Sequence, residues 1–250
     1  SIARAIFNNA VPLSNTEKIA EIKSRFSRQE YIATVQQLQK HMVRGDCYEI
    51  NFCQEFYAEW VAIDPLNIYY ALARESPNPF SSYYHINDQY LLCASPERYI
   101  KKTGNTLISQ PIKGTARRHQ HNQTDDEQSK NVLFNSSKDR SENIMIVDLV
   151  RNDLSRICQK GSVKVDELFG IYAFPQVYQM ISTISGQLPE NIPLTDIFKA
   201  TFPMGSMTGA PKRRVMELIE QYEKTKRGLF SGAVGYITPD GNMDFNVVIR

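Results

Sequence analysis

The feature that most constrains this chain is where its apolar periods change: β-rich runs gather toward both ends, helical patterns lie between them, and strand and helix do not alternate regularly. A doubly wound parallel sheet needs a crossover helix between successive strands, so that arrangement is excluded. The first helical pattern covers residues 31–43, with Tyr31, Val35, Leu38 and Met42 on one face, and Arg44-Gly45-Asp46 ends it. The β-rich runs CYEINFCQEFYAEW, FSSYYHINDQYLLCAS and TLISQPIKGT follow. The polar stretch over residues 117–130 reads as an exposed loop or the start of a helix. Helical patterns recur over residues 137–157 and 211–226. The second carries Val215, Leu218, Ile219 and Tyr222 on one face, with Pro211 in its first turn and Gly228 just past its end. LFSGAVGYIT and MDFNVVIR then read as two strands joined by the hairpin signal Pro239-Asp240-Gly241-Asn242. The expected class is α+β, mainly antiparallel sheets packed together with helices outside.

A chain of 250 residues with 42% hydrophobic content can bury a substantial core. The formal net charge is +2 and the basic residues form no long run, which argues against a nucleic-acid partner. No apolar stretch approaches the roughly 20 residues needed to span a bilayer, and the first segment has neither a basic leader nor a secretory core. Cys47, Cys53, Cys93 and Cys158 contain no CxxC pair and are expected as reduced thiols of a cytoplasmic protein. Arg250 falls inside the last β-rich run, where an unprotected strand edge would be left, so the chain reads as a partial one.

Three places could carry chemistry. Glu142 shares a helix face with Met145, Ile146 and Leu149, and a carboxylate on an apolar face must be paired, protonated or bound to a cation. Both a structural pair with Lys138, one turn earlier, and a metal or catalytic role remain open. Lys113, in QPIKGT, is either a solvated surface lysine or a desolvated amine nucleophile at the close of a strand, with Glu97 of Ser95-Pro96-Glu97 on a neighbouring strand as acid or base. The segment FPMGSMTGAPK leads into a helix whose free N–H groups could meet a carboxylate or phosphate, although a turn of purely geometric purpose would look the same. It lacks the GxxxxGK[ST] spacing of a nucleotide loop.

Taken together, GDCYEINF, ASPERYI, PIKGTARR, KDRSENIMIVDLVRNDLSRI, FPMGSMTGAPKRRVMELIEQYE, RGLFSGAVGYI and GNMDFNVVIR occur in the order found in the chorismate-utilising enzymes, a family that this chain resembles from Tyr31 to Arg250. The resemblance implies a chorismate-binding enzyme fold over residues 31–250, preceded by a remnant of the N-terminal region over residues 1–30. It implies that Glu142 binds a Mg²⁺ ion that clamps the ring carboxylate of chorismate, a hard cation on oxygen ligands. Gly114, Thr115, Gly205 and Ser206 would surround the substrate, and Arg250 would pair with its enolpyruvyl carboxylate.

Within the family, a lysine in PIKGT is similar to the aminodeoxychorismate synthase branch, whereas anthranilate synthases carry alanine there. The resemblance implies that Lys113 attacks C2 of chorismate as the C4 hydroxyl departs, with Glu97 as general acid, and that ammonia then adds at C4 and expels the lysine. The product would be 4-amino-4-deoxychorismate, the precursor of p-aminobenzoate and folate. Three departures stand out: Gln179 where many relatives have histidine, Phe230 where anthranilate synthases have tyrosine, and the family's further glycine-rich segment and second metal-binding glutamate, expected beyond Arg250. No glutaminase-like nucleophile is present, so a separate glutamine amidotransferase subunit is the expected ammonia source. The alternatives are an anthranilate or isochorismate synthase of the same family, or a non-catalytic chorismate-binding module.

Overall fold

The computed structural model describes residues 21–250, so most of the expected N-terminal remnant lies outside the described residues. The elements are, in chain order, β1 (Lys23–Ser24), α1 (Arg28–Val43), β2 (Glu49–Ile50), β3 (Phe56–Tyr57), α2 (Pro65–Glu75), β4 (Phe80–Ile86), β5 (Gln89–Ser95), β6 (Arg98–Thr103), β7 (Thr106–Gln110) and β8 (Ile112–Arg117). There follow α3 (Gln123–Asn135), α4 (Ser137–Ser155), β9 (Lys164–Ala173), β10 (Val177–Gln187), α5 (Leu194–Thr201), β11 (Gly209–Ala210), α6 (Lys212–Tyr222), β12 (Gly235–Ile237) and β13 (Met243–Asn246). All of the strand pairs are antiparallel, as the α+β class requires.

Local chemistry sets the helix ends. Ser27 caps α1 by accepting from the Glu30 amide while Glu30 bonds back to the Ser27 amide, a reciprocal capping box. Gly45, at φ 81°, takes the left-handed turn that ends it. Leu38 of α1 and Val215 and Leu218 of α6 then pack together with Cys47, the faces that the apolar spacing predicted. The polar stretch after β8 is part loop and part helix, α3 beginning where Asn122 accepts from the amides of Thr124 and Asp125.

The principal sheet runs β12-β13-β6-β7-β10-β8, with β9 on the other edge of β10. One edge of β10 is shared: residues 177–181 face β8 and residues 184–187 face β7, because Pro111 divides what reads as a single run into two strands. Helix α4 lies on this sheet and buries Ile146, Val147, Val150 and Leu154 against Tyr99, Ile100, Leu107 and Ile184. Each such side chain contributes about 1.5–3 kcal/mol on burial, so the sheet and α4 form a stiff floor for what projects from their ends.

Several sequence expectations are corrected here. Strands do not gather only toward the ends: β9 and β10, the longest pair, lie in the middle of the chain. CYEINFCQEFYAEW holds only the short β2 and β3, and helices α2 and α5 carried no helical expectation. Pro211 caps α6 rather than opening its first turn, and α6 ends at Tyr222, short of residue 226. LFSGAVGYIT is a strand only over Gly235–Ile237, and the last strand stops at Asn246, so Arg250 lies beyond it. The hairpin signal holds, with the Thr238 amide donating to the Asn242 carbonyl at 2.9 Å.

Candidate active site

Glu97 lies between β5 and β6, not on a strand, and is 5% exposed. Its amide donates to the Ser95 hydroxyl at 3.1 Å, and its carbonyl accepts from Val247 at 3.1 Å, which locks the residue between two segments. Burial pushes its carboxyl up to about 7, against the smaller opposing pull of the Ser206 hydroxyl, the Ile112 amide and the charges of Lys113 and Arg250. Glu97, Lys113, Ser206 and Arg250, four residues singled out from motifs far apart in the sequence, therefore act on one another here. A cavity of about 20 Å³ lies behind Glu97, bordered by Asp153, Thr201, Gly205 and Ser206. That is room for one water, not for a ring-sized ligand. The carboxyl can hold a proton near neutral pH and give it up.

Lys113 is the second residue of β8, not the last of a strand, and it is not a lone desolvated amine. Its Nζ stands 2.5 Å from Glu49 Oε1, with the two side chains only 16% and 14% exposed. Glu49 comes from β2, held by antiparallel pairing to β11 of the GSMTGAP segment. Gly209 makes that pairing possible: its φ is 136°, and a Cβ there would fall 2.1 Å from the Glu49 carbonyl. The neighbouring bonds Tyr48 N to Ala210 O (2.8 Å), Asn51 N to Thr208 O (2.9 Å) and Asn51 Nδ2 to Ser206 O (2.9 Å) tie the two segments along their length. The glycine-rich segment thus serves geometry, by delivering Glu49 to Lys113 and Ser206 to Glu97. Sequence reasoning missed Glu49, Asn51 and the buried pair formed by Lys212 Nζ and Asp153 Oδ2 at 2.5 Å.

Thr115 and Gln179 face each other across β8 and β10, and the Thr115 hydroxyl donates to Gln179 Oε1 at 2.9 Å. Gln179 is 1% exposed, and its Nε2 has no hydrogen-bond partner among the described residues. Such a donor costs about 1–3 kcal/mol when left unpaired, and it marks a point where a ligand oxygen could bind. Gly114, at φ 96°, turns toward α3 and α4, where a Cβ would meet Asp139 Cβ at 3.0 Å and Leu133 Cδ1 at 3.1 Å. A Cβ on Gly205 would meet Leu149 Cδ2 at 2.5 Å. Both glycines therefore have a packing reason to be glycine, whatever their backbones contact.

Two predicted residues stand apart. Glu142 is 36% exposed at its side chain and faces Lys138 at 3.9 Å, a loose pair along α4 rather than a carboxylate sealed on an apolar face. Among the described residues no group of three or more His, Cys, Asp or Glu side chains forms a cation cage. Mg²⁺ is commonly held by one or two carboxylates with substrate oxygens and water completing its shell, and Glu142 can supply one such oxygen. Phe230 is 42% exposed in the turn before β12, its amide donating to Arg227 O at 3.0 Å. Arg250 accepts from the Ala94 amide at 2.8 Å through its carbonyl and reaches Glu97 through its charge. The four cysteines are free, three of them buried, and among the described residues no helix is long and apolar enough to cross a membrane.

The site thus holds a buried acid near an ion-paired lysine, on an antiparallel sheet closed by a glycine-rich clamp. The profile of the chorismate binding enzyme family matches residues 4–250, and the chain belongs to that family. It is 42% identical over 233 residues to aminodeoxychorismate synthase component 1 of Escherichia coli (strain K12), covering 91% of this chain and 50% of the relative. It is 35% identical over 234 residues to aminodeoxychorismate synthase component 1 of Bacillus subtilis (strain 168), covering 94% and 49%. Among solved structures, anthranilate synthase component I of Streptococcus pneumoniae TIGR4 superposes with a TM-score of 0.83 at 28% identity, covering 100% of this chain and 56% of that one. The chain spans about half the length of the curated relatives it matches.

Proposed function

We propose that this chain carries the chorismate-converting centre of an aminodeoxychorismate synthase. The observation that carries the reading is the meeting of Lys113 with Glu97 in one shielded place: a candidate nucleophile whose charge acts on a carboxyl that holds its proton to about pH 7. An identity of 42% to an enzyme named for that reaction supports it, against 35% for relatives named anthranilate synthase component 1. In the proposed sequence, the Lys113 amine forms a bond to C2 of chorismate while both ring double bonds shift and the C4–O bond breaks. The C4 hydroxyl takes the Glu97 proton and leaves as water. Ammonia adds at C4, the double bonds shift back, and the lysine leaves as a free amine. Two allylic displacements replace one direct and difficult one.

In this reading Gln179 Nε2, the unpaired donor, donates to a substrate oxygen, and the Thr115 hydroxyl, whose proton goes to Gln179 Oε1, accepts from a substrate hydroxyl. Gly114, Gly205, Ser206 and Arg250 complete the proposed lining. Glu142 would hold Mg²⁺, whose positive charge would neutralise the substrate's ring carboxylate. The name "component 1" carried by the relatives supports a separate partner, proposed as the glutamine amidotransferase that supplies ammonia. Four free thiols support a reducing compartment, proposed as the cytoplasm.

The test is turnover of chorismate with ammonium and Mg²⁺ by the protein and by Lys113→Ala, with product converted to p-aminobenzoate by a coupled lyase. The expected result is p-aminobenzoate from the parent and none above background from the variant. Fluorescent anthranilate as the product, or a variant at the parent rate, overturns the proposal.

A further inference from the structure

We infer that Glu49 is the proton acceptor and positioning residue for Lys113, taking a proton from its ammonium before the amine attacks and returning it when the amine leaves. This rests on the proposed role of Lys113 as nucleophile.

An ammonium has no lone pair and attacks nothing, so a lysine nucleophile held in an ion pair needs a group that removes its proton. Glu97 is unsuited to the task, because it enters the reaction with its own proton on and must deliver it to the departing hydroxyl. The carboxylate in contact with Lys113 is Glu49, whose Oε1 lies 2.5 Å from Nζ, within the range of direct transfer. Its Oε2 is buried and has no hydrogen-bond partner among the described residues, so no second donor competes with Nζ for this carboxylate. Among the described residues, Glu49 from β2 pairs with Nζ, and Glu97 from the β5–β6 link feels the charges of both Lys113 and Arg250.

The placement is stiff. Strand β2 is clamped to β11 by the close approach at Gly209. Beyond it, Arg227 donates to the carbonyls of Asn51 and Met207, each at 2.7 Å, while paired with Glu223 at 2.6 Å. Glu223 also accepts from the Cys53 amide at 2.9 Å. A buried cation thus fastens the segment that carries Glu49 to the segment that carries Ser206, and both working carboxylates are fixed by one assembly.

The atoms balance. An N–H bond of Lys113 breaks with its electron pair staying on nitrogen, and an O–H bond forms on Glu49 Oε1. The nitrogen pair forms the bond to C2, and the displaced ring electrons leave with the C4 oxygen, which takes the Glu97 proton. When the electron pair of ammonia forms the bond to C4, the ring double bonds shift back and the C2–N bond breaks with its electrons staying on the Lys113 nitrogen; that amine takes its proton back from Glu49, and Glu97 takes one from the new C4 ammonium.

The experiment labels Lys113 with acetic anhydride across a pH series, quantified by peptide mass spectrometry, in the parent, Glu49→Gln and Glu49→Asp, with turnover measured alongside. Removing the opposite charge is expected to raise the labelling rate of Lys113 at neutral pH about threefold or more in Glu49→Gln. The amine becomes easier to label, while turnover falls about tenfold or more. Glu49→Asp restores part of both, and serves alone if Glu49→Gln does not fold. A labelling rate that stays at the parent value, or turnover that stays at the parent level, overturns the inference. Labelling reads the pair whether or not Lys113 is the nucleophile, so its outcome is separate from that of Lys113→Ala.

Discussion

Glu97 and Asp126 are buried to nearly the same degree, at 5% and 8% exposure, yet the protein pushes their protons in opposite directions. Burial lifts Glu97 to about 7, and among the described residues it forms no ion pair. Asp126 is held well below the usual carboxylate range, first by the Arg118 guanidinium and then by the Tyr178 hydroxyl. Arg118 Nη2 and Tyr178 OH donate to Oδ2 at 2.9 and 2.6 Å, and the His119 amide donates to Oδ1 at 2.7 Å. At Glu97 burial outweighs the donors that oppose it, whereas at Asp126 the Arg118 and Tyr178 donors outweigh burial. Asp126 is a fastener that holds the start of α3 and the residues after β8 against β10. Glu97, where burial prevails, keeps a proton it can spend on a substrate.

The largest effect expected from this contrast is on turnover. Glu97→Gln keeps the shape but has no acidic proton, and is expected to lower chorismate turnover by about 10²–10⁴-fold. In the parent, kcat/KM is expected to fall as pH rises through about 7, where Glu97 loses its proton, and this limb should vanish in the variant. A variant that keeps both rate and limb would assign the acid role elsewhere.

Stability should split the same way. The Glu97 carboxyl sits at about 7 in the fold against an ordinary 4.5, so its contribution is full below about 4.5 and is lost as pH rises through about 7. The span is about 3 kcal/mol, and urea unfolding of parent and Glu97→Gln at pH 5 and pH 8 should show the variant gaining on the parent at the higher pH. Asp126 has the opposite sign: its contribution is present above the ordinary 3.8 and is lost as pH falls through its depressed value. Asp126→Asn should therefore lower Tm at pH 7, converge on the parent in acid, and leave turnover near the parent level. Thermal melts across pH check this, and parallel curves for the two variants would refute the contrast.

These carboxylates also show which parts of the molecule were readable beforehand. Helices α1 and α6 were legible because their apolar spacing is local and each buries one face. Strand β10 was not, because it is buried almost throughout and its apolar run is interrupted by Gln179, Ser182 and Ser185. Ser182 is satisfied only in three dimensions, donating to Asn143 of α4 at 2.5 Å and accepting from the Phe169 amide at 3.1 Å. No alternation survives in such a strand. In the site, Lys113, Glu97 and Ser206 came from motif likeness, and the structure brings them within one another's influence. Glu49 escaped because its significance exists only once β2 pairs with β11 and lies beside β8. For Glu142, helical spacing gave the face and the possible Lys138 partner, but not how much of that face the fold covers.

The smallest expected effect tests whether the donors that oppose burial help to set the Glu97 proton. Ser206 is the first of the groups that favour the charged form of Glu97, opposing burial. Ser206→Ala removes that hydrogen bond without adding or removing a charge, and so leaves Glu97 with one donor fewer. One hydrogen bond of about 0.5–1.5 kcal/mol corresponds to roughly half to one pH unit. The falling limb of kcat/KM should therefore move to higher pH by that amount, the carboxyl holding its proton longer. Because Ser206 is also proposed to touch substrate, KM is expected to rise at every pH, but a lost contact alone scales the profile without displacing it. A limb that moves toward acid, or does not move, would mean that burial alone sets the Glu97 proton and that the partners counted here are incidental.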